Sequence, residues 1–250
     1  MTAFCNNDYI VTDLDSNMNT IITGATKGIG RALAFKFASK GRSLGVCARN
    51  MDDLNDLKSE ILMLYPETDI YISKVDVSQK DQVLRFAGEV KEHFGIIDVL
   101  INNAGVFIPG AVSHEDDGVL EQMIDTNLYS AYHLTRSILP AMYKSERAHI
   151  FNMCSIASFT AYANGGSYSI SKFALLGFTK VLRAELKEKH IRVTAVMPGA
   201  TWSDSWKGAD FPEDRLMDAG DIAECIWSAY KLSKKTVVEE LIIRPQLGDL

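Results

Sequence analysis

The sequence predicts an α/β fold, a single doubly wound parallel sheet of about seven strands with helices on both faces. Short runs rich in Val and Ile alternate with longer amphipathic stretches along the chain. The short runs are apolar almost throughout, the pattern of strands covered on both faces. The 250 residues contain no internal repeat, low-complexity tract or Pro/Gly-rich linker, so residues 1–250 are read as one domain.

Strands are expected at residues 20–23 (TIIT), 43–47 (SLGVC), 69–75 (DIYISKV), 99–102 (VLIN), 149–153 (HIFNM), 192–196 (RVTAV) and 241–243 (LII). Apolar residues recur at helical spacing over 29–39, 52–64, 79–93, 116–143, 167–189 and 221–232. Strand and helix alternate throughout, which implies right-handed crossovers. Residues 1–17 stand before the first strand as an N-terminal extension, expected to pack on its own domain or on a neighbouring subunit. Residues 199–220 form a long irregular connection, of a length that suits a substrate-side binding loop. Pro245 should stop the last strand.

A net charge of −6 makes nucleic acid and anionic membrane surfaces poor partners, since both select basic patches. No apolar run approaches the length needed to cross a bilayer. The opening MTAFCNNDYIVTDLD is polar and acidic, without the features of a secretory signal, so a cytoplasmic location is expected. Cys5, Cys47, Cys154 and Cys225 are scattered, without a C-x-x-C pair, and the five histidines lack ligand spacing. The cysteines read as reduced thiols, and no metal site is expected.

The first strand runs straight into Thr23-Gly24-Ala25-Thr26-Lys27-Gly28-Ile29-Gly30, and a helix follows. Gly24 allows a tight turn, Gly28 lets backbone approach a pyrophosphate, and Gly30 permits close packing of helix on strand. The N–H groups and positive end of the helix then face the phosphates. This makes Gly24, Thr26, Lys27, Gly28, Ile29 and Gly30 candidate contacts of a dinucleotide on a Rossmann-type sheet, although the spacing is G-x-x-x-G-x-G. About 20 residues beyond the glycines, such folds carry an acidic residue that selects NAD. Here Arg49 ends the second strand. Together with Lys27 it would hold a 2′-phosphate by charge-assisted hydrogen bonds, which favours NADP(H). Asp52 and Asp53 lie close by and weaken that field.

Tyr168 and Lys172 are four apart on an expected helix and therefore share one face. A free tyrosine titrates near pH 10, and a neighbouring ammonium stabilises its phenolate. Such a group can give a proton to a developing alkoxide or take one from an alcohol. Ser155 closes the fifth strand at the carboxyl edge of the sheet, where ligands sit in open α/β folds. Its hydroxyl could hold a substrate oxygen.

T-G-x-x-x-G-x-G, Asn102-Asn103-Ala104-Gly105, Asp125-Thr126-Asn127, Ser155, the Y-S-I-S-K run and Pro198-Gly199 together closely resemble the short-chain dehydrogenase/reductase family, from residue 20 to about 245. The resemblance implies an NADP(H)-dependent oxidoreductase that moves a hydride between nicotinamide and a small carbonyl or alcohol substrate. It implies Tyr168 as general acid/base, Lys172 on the nicotinamide ribose and Ser155 on the carbonyl. Asn127 would hold a proton-relay water. Asn103, Ala104 and Gly105 would line the adenosine and ribose side, Asp76 and Val77 the adenine, and Pro198 and Gly199 the nicotinamide. Within the family the chain is similar both to 3-oxoacyl-(acyl-carrier-protein) reductases and to sepiapterin-type and general carbonyl reductases.

Phe107, Ile108, Phe159, Tyr162, Trp202 and Trp206 are candidates for an apolar substrate pocket, or are simply core. Leu175, Phe178, Leu182 and Leu186 form a stripe that suits the core. In the family the two helices over 116–143 and 167–189 form the subunit interface, so the resemblance implies a homodimer or homotetramer. A non-enzymatic NADP(H)-binding regulator on the same fold is the alternative reading. An extended-branch epimerase or dehydratase is disfavoured by chain length and glycine spacing.

Overall fold

Seven parallel strands form one sheet in the order β3-β2-β1-β4-β5-β6-β7. The structure is a computed structural model that describes residues 18–202 and 215–248. In chain order the elements are β1 (Asn19–Thr23), α1 (Gly28–Ala38), β2 (Ser43–Ala48), α2 (Met51–Leu64), β3 (Ile70–Lys74), α3 (Lys80–Phe94) and β4 (Val99–Asn102). Then come α4 (Val119–Ile124), α5 (Ser130–Met142), β5 (His149–Met153), α6 (Gly166–Leu186), β6 (Arg192–Pro198), α7 (Ala219–Tyr230) and β7 (Glu240–Ile243). The N-terminal extension 1–17, Trp206 and most of the expected loop 199–220 lie outside the described residues. No helix among the described residues is long and apolar enough to cross a membrane.

Successive strand residues point to opposite sides, and each side has its own helix layer. Ile22, Ile101 and Phe151 share a core with Leu33 and Phe37 of α1 and Ile226 and Trp227 of α7. Their neighbours Ile21, Leu100 and Ile150 pack instead with Phe86 of α3, Ile138 of α5 and Leu182 of α6. The stripe of Leu175, Leu182 and Leu186 is buried: Leu182 and Leu186 serve this core, and Leu175 packs in a smaller cluster with Ala131, Ala195 and Met197. The outward apolar residues of α6 are different ones, Ile170, Phe173 and Val181. The chain reverses its direction of strand addition between β1 and β4, which opens a crevice at their carboxyl ends.

The helix expected over 116–143 is not continuous. Gly118, at φ +92°, delays its start to Val119. At Asp125–Tyr129 the winding widens into a π-turn before α5 begins. The side chain of Asn127 leaves the helix there to bond a neighbouring loop, and the Ser130 hydroxyl donates back to the Thr126 carbonyl at 2.6 Å.

His149 opens β5 in full burial, its ring stacked on Phe151 with centroids 3.9 Å apart. Its Nε2 lies 2.7 Å from the Thr194 hydroxyl, which donates its own proton to the Val238 carbonyl. Nε2 must therefore be the donor, leaving Nδ1 as a buried acceptor without a partner. Protonating Nδ1 would place a second buried cation near Arg192. Burial, then that arginine, hold the imidazole well below its ordinary value. The folded state thus resists a proton that the unfolded chain accepts. Stability from this group is full above about pH 6.5 and is lost as pH falls, by up to about 1.4 kcal/mol per pH unit. A His149→Gln variant is expected to flatten this acid limb in denaturant titrations between pH 7.5 and 5. An unchanged limb would assign the loss to other groups.

Candidate active site

The turn after β1 is built on conformations that only glycine adopts without penalty. Gly24 and Gly28 sit at φ +65° and +50°. The turn is clamped from β4. Thr23 Oγ1 accepts the backbone N–H groups of Asn103 and Ala104, each at 3.0 Å. Asn103 Nδ2 donates to the carbonyls of Thr23 and Gly24 at 2.9 and 3.0 Å. The Gly24 N–H reaches back to the Cys47 carbonyl of β2 at 2.9 Å. A Cβ on Gly30 would overlap the Gly24 carbonyl oxygen and stand 2.5 Å from Asn103 Nδ2.

Helix α1 starts behind Lys27 with no side-chain cap and no acidic residue in its first turn. A helix start of this kind presents N–H groups and positive potential to an anion, so the residues present fit a dinucleotide pyrophosphate. Thr26 is half-buried in the turn, while Ile29 packs on the core. Lys27 and Arg49 are exposed at this edge. Past β3, the Asp76 carboxylate accepts from the Ser78 backbone and hydroxyl at 3.0 and 2.8 Å, shaping its own turn. Val77 packs partly buried beside it.

Helix α6 carries Tyr168 and Lys172 on successive turns. Lys172 is 4% exposed, and its ammonium donates to the Met153 carbonyl at the end of β5 at 2.7 Å. Its Nζ lies 5.7 Å from the centre of the Tyr168 ring. Ser155 is both a cap and a site residue. Its Oγ accepts the Ala157 N–H at 3.1 Å to start a short 3₁₀ turn, and it also bonds the Tyr168 phenol.

Asn127 is 1% exposed and braces the site. It takes the Val106 N–H at 2.8 Å, returns a bond to the Val106 carbonyl at 3.0 Å, and donates to Ser171 Oγ at 2.9 Å. Both amide donors are used, so the side chain works as a strut between the loop after β4 and α6. A Cβ on Gly105 would lie 3.1 Å from Asn127 Oδ1 and 3.5 Å from Lys172 Nζ, which places that loop against the strut. Pro198 ends β6, and the Gly199 N–H joins the Ile243 carbonyl at 2.8 Å.

The electrostatics differ from the sequence argument. Lys172 is expected there to depress the Tyr168 phenol, yet burial raises it, with the Ser155 hydrogen bond opposing. Burial also lowers Lys172 to about 8, against a smaller opposing influence from Cys154. The Cys154 thiol is itself pushed up to about 11 by burial. Closing off water outweighs the local charge pairing.

Aromatic rings rim the site. The Phe107 ring meets Tyr168 edge-on at 4.9 Å. Burial, with Tyr168 close by, pushes Tyr162 up to about 12. Phe107, Phe159 and Tyr162 stay nearly half exposed, and Ile108 is partly buried. Trp202 stands at the foot of the late loop, where its N–H bonds the Met217 carbonyl at 2.9 Å beside a Thr201–Met217 bridge. Sequence reasoning missed Ser171, a further helical turn position, and Glu115, hidden in the acidic run 115–117.

A parallel sheet with a phosphate-ready turn beside its switch point is the architecture of dinucleotide-binding folds. Residues 18–212 match the family model for short chain dehydrogenase, and the chain belongs to that family. It is 34% identical to a sepiapterin reductase of Chlorobaculum tepidum over 92% of this chain and 97% of that protein. It also resembles an alcohol dehydrogenase from the archaeon Thermococcus sibiricus, solved with 5-hydroxy-NADP, at 26% identity and a TM-score of 0.85, over 92% of this chain and 97% of that one. A metagenomic short-chain oxidoreductase solved with NADP is 29% identical with a TM-score of 0.81, covering 94% of this chain and 99% of that one.

A Gly30→Ala substitution is expected to force α1 off the turn and cost about 1–3 kcal/mol in denaturant unfolding. Gly177→Ala, which meets nothing within 4 Å on α6, is the control and should stabilise by about 0.4–1 kcal/mol. Equal effects of the two would refute the packing argument.

Proposed function

We propose that this chain is an NADP(H)-dependent reductase of small carbonyl compounds, with Tyr168 as the proton donor. The convergence of Ser155, Tyr168 and Lys172 beside the glycine turn carries this reading. A dinucleotide bound there would supply the hydride. Ser155 Oγ would donate a hydrogen bond to the substrate oxygen while still accepting from Ala157. The Tyr168 phenol would pass its proton to that oxygen as negative charge develops. Burial keeps the phenol protonated at neutral pH, which suits proton donation better than proton removal. The Lys172 ammonium would stabilise the phenolate left behind. The aromatic rim favours an apolar or planar substrate.

The 2′-phosphate preference rests on Lys27 and Arg49, and the NADP-type ligands of two similar structures support it. The exposed Ile170, Phe173 and Val181 support a homo-oligomer assembled through α6.

Tyr168→Phe is expected to lower kcat by about 10²–10⁴-fold while NADPH affinity stays nearly unchanged. Turnover with NADPH over a panel of ketones and aldehydes, set beside fluorescence titration of NADPH, reads both quantities, and normal turnover would end this assignment. Arg49→Asp should reduce kcat/KM for NADPH relative to NADH by about 10–100-fold, the worth of a charge-assisted hydrogen bond. An unchanged ratio would place cofactor selection elsewhere.

A further inference from the structure

Helix α6 begins at Gly166 with Gly165 as its cap residue, without a side-chain cap of its own and without an acidic residue in its first turn. Such a start leaves backbone N–H groups and positive potential unanswered. The answer comes from a distant segment. Glu115, in the loop between β4 and α4, accepts the Ser167 N–H through Oε1 at 2.9 Å and the Ser167 hydroxyl through Oε2. Ser167 is 3% exposed and immediately precedes Tyr168.

The surroundings are carved for this carboxylate. A Cβ on Gly110 would stand 2.7 Å from Glu115 Cγ. A Cβ on Gly166 would overlap Glu115 Oε1 and approach the Gly110 carbonyl to 2.5 Å. Gly110 and Gly165 pair as an isolated bridge, and the Gly110 N–H bonds the Asn164 carbonyl at 3.0 Å. Asn164 sits at φ +58°, a conformation rare outside glycine. The Glu115 N–H bonds the Ala111 carbonyl at 3.0 Å, so a local turn fixes the origin of the side chain. The loop that supplies Glu115 also carries Phe107, whose ring stands against Tyr168.

We propose that Glu115 is a positioning residue that caps the catalytic helix from outside and thereby sets the phenol of Tyr168 against Ser155. This rests on the reductase reading above. Releasing the cap frays the first turn of α6, and misplacing a reacting group by about 1 Å costs on the order of 100-fold. Lys172 lies a turn deeper and is anchored separately to Met153, so cofactor affinity is insensitive to the cap.

The test uses Glu115→Ala, Glu115→Gln and Ser167→Ala in the full-length protein. Glu115→Ala is expected to lower kcat by about 10–100-fold with NADPH affinity unchanged. Glu115→Gln retains an acceptor for the Ser167 N–H and should return to within about fivefold of the parent. In a Tyr168→Phe background, Glu115→Ala should add almost nothing, since both act through one phenol. In ligand-free protein, amide exchange should rise over 166–169 and stay unchanged in the rest of α6. A parent-like kcat, an absence of rescue by Gln, or unchanged exchange would each overturn the proposal. If Glu115→Ala does not fold, Ser167→Ala replaces it: several-fold loss of kcat with faster exchange supports the clamp, and parent-like values refute it. Normal turnover in Tyr168→Phe alone would instead defeat the reductase reading, with the exchange measurement still judging the cap.

Discussion

The ammonium group of Lys172 is shut away from water and donates to the Met153 carbonyl at 2.7 Å. A buried cation is costly unless its hydrogen bonds are well made, so α6 has little freedom to slide along β5. A polar ladder enforces the same register deeper in the core. Asn102 of β4 donates to Asn152 of β5 at 2.7 Å and to Thr135 of α5 at 3.0 Å, and Asn152 donates to Thr179 of α6 at 2.9 Å. Unpaired amides in that setting would each cost about 1–3 kcal/mol. The position of Tyr168 therefore follows from contacts that reach through the sheet, well behind the site.

That anchoring has an electrical consequence. Desolvation drives an acid and a base towards their uncharged forms at once, raising Tyr168 and lowering Lys172. The protein moderates this with neutral partners, the Ser155 hydroxyl on the phenol and a main-chain carbonyl on the ammonium. A site arranged in this way holds its proton by geometry rather than by a standing ion pair.

The sheet was legible because most strands are short apolar runs between amphipathic stretches, and β4 and β5 carry the bounds read from VLIN and HIFNM; the edge strand β7 alternates exposed and half-buried residues. The glycine turn was legible because Gly24 and Gly28 adopt backbone angles that other residues resist. Tyr168 and Lys172 could be placed on one face because helical spacing is a local property. Glu115 could not be recognised, because an acid in the run 115–117 looks like solvated surface until a distant helix start meets it. The direction in which the Tyr168 phenol shifts escaped sequence reasoning for a related reason. The sequence displays the neighbouring lysine but not the depth of burial, and depth dominates. The π-turn at Asp125–Tyr129 was read as ordinary helix, since a long-range bond from Asn127 to Val106 leaves no local signature.

The π-turn also limits how the molecule can be altered. One additional residue in a helical turn offsets the angular phase of everything before it by about 100° relative to everything after it. Deleting a residue from 125–129 would give a more regular rod with better-aligned amides. It would also rotate either Asn127 away from Val106 or Ile138 away from the interior, because no uniform winding satisfies both. Efforts to harden this protein against heat by idealising its backbone would thus run into the π-turn that holds Asn127 against Val106.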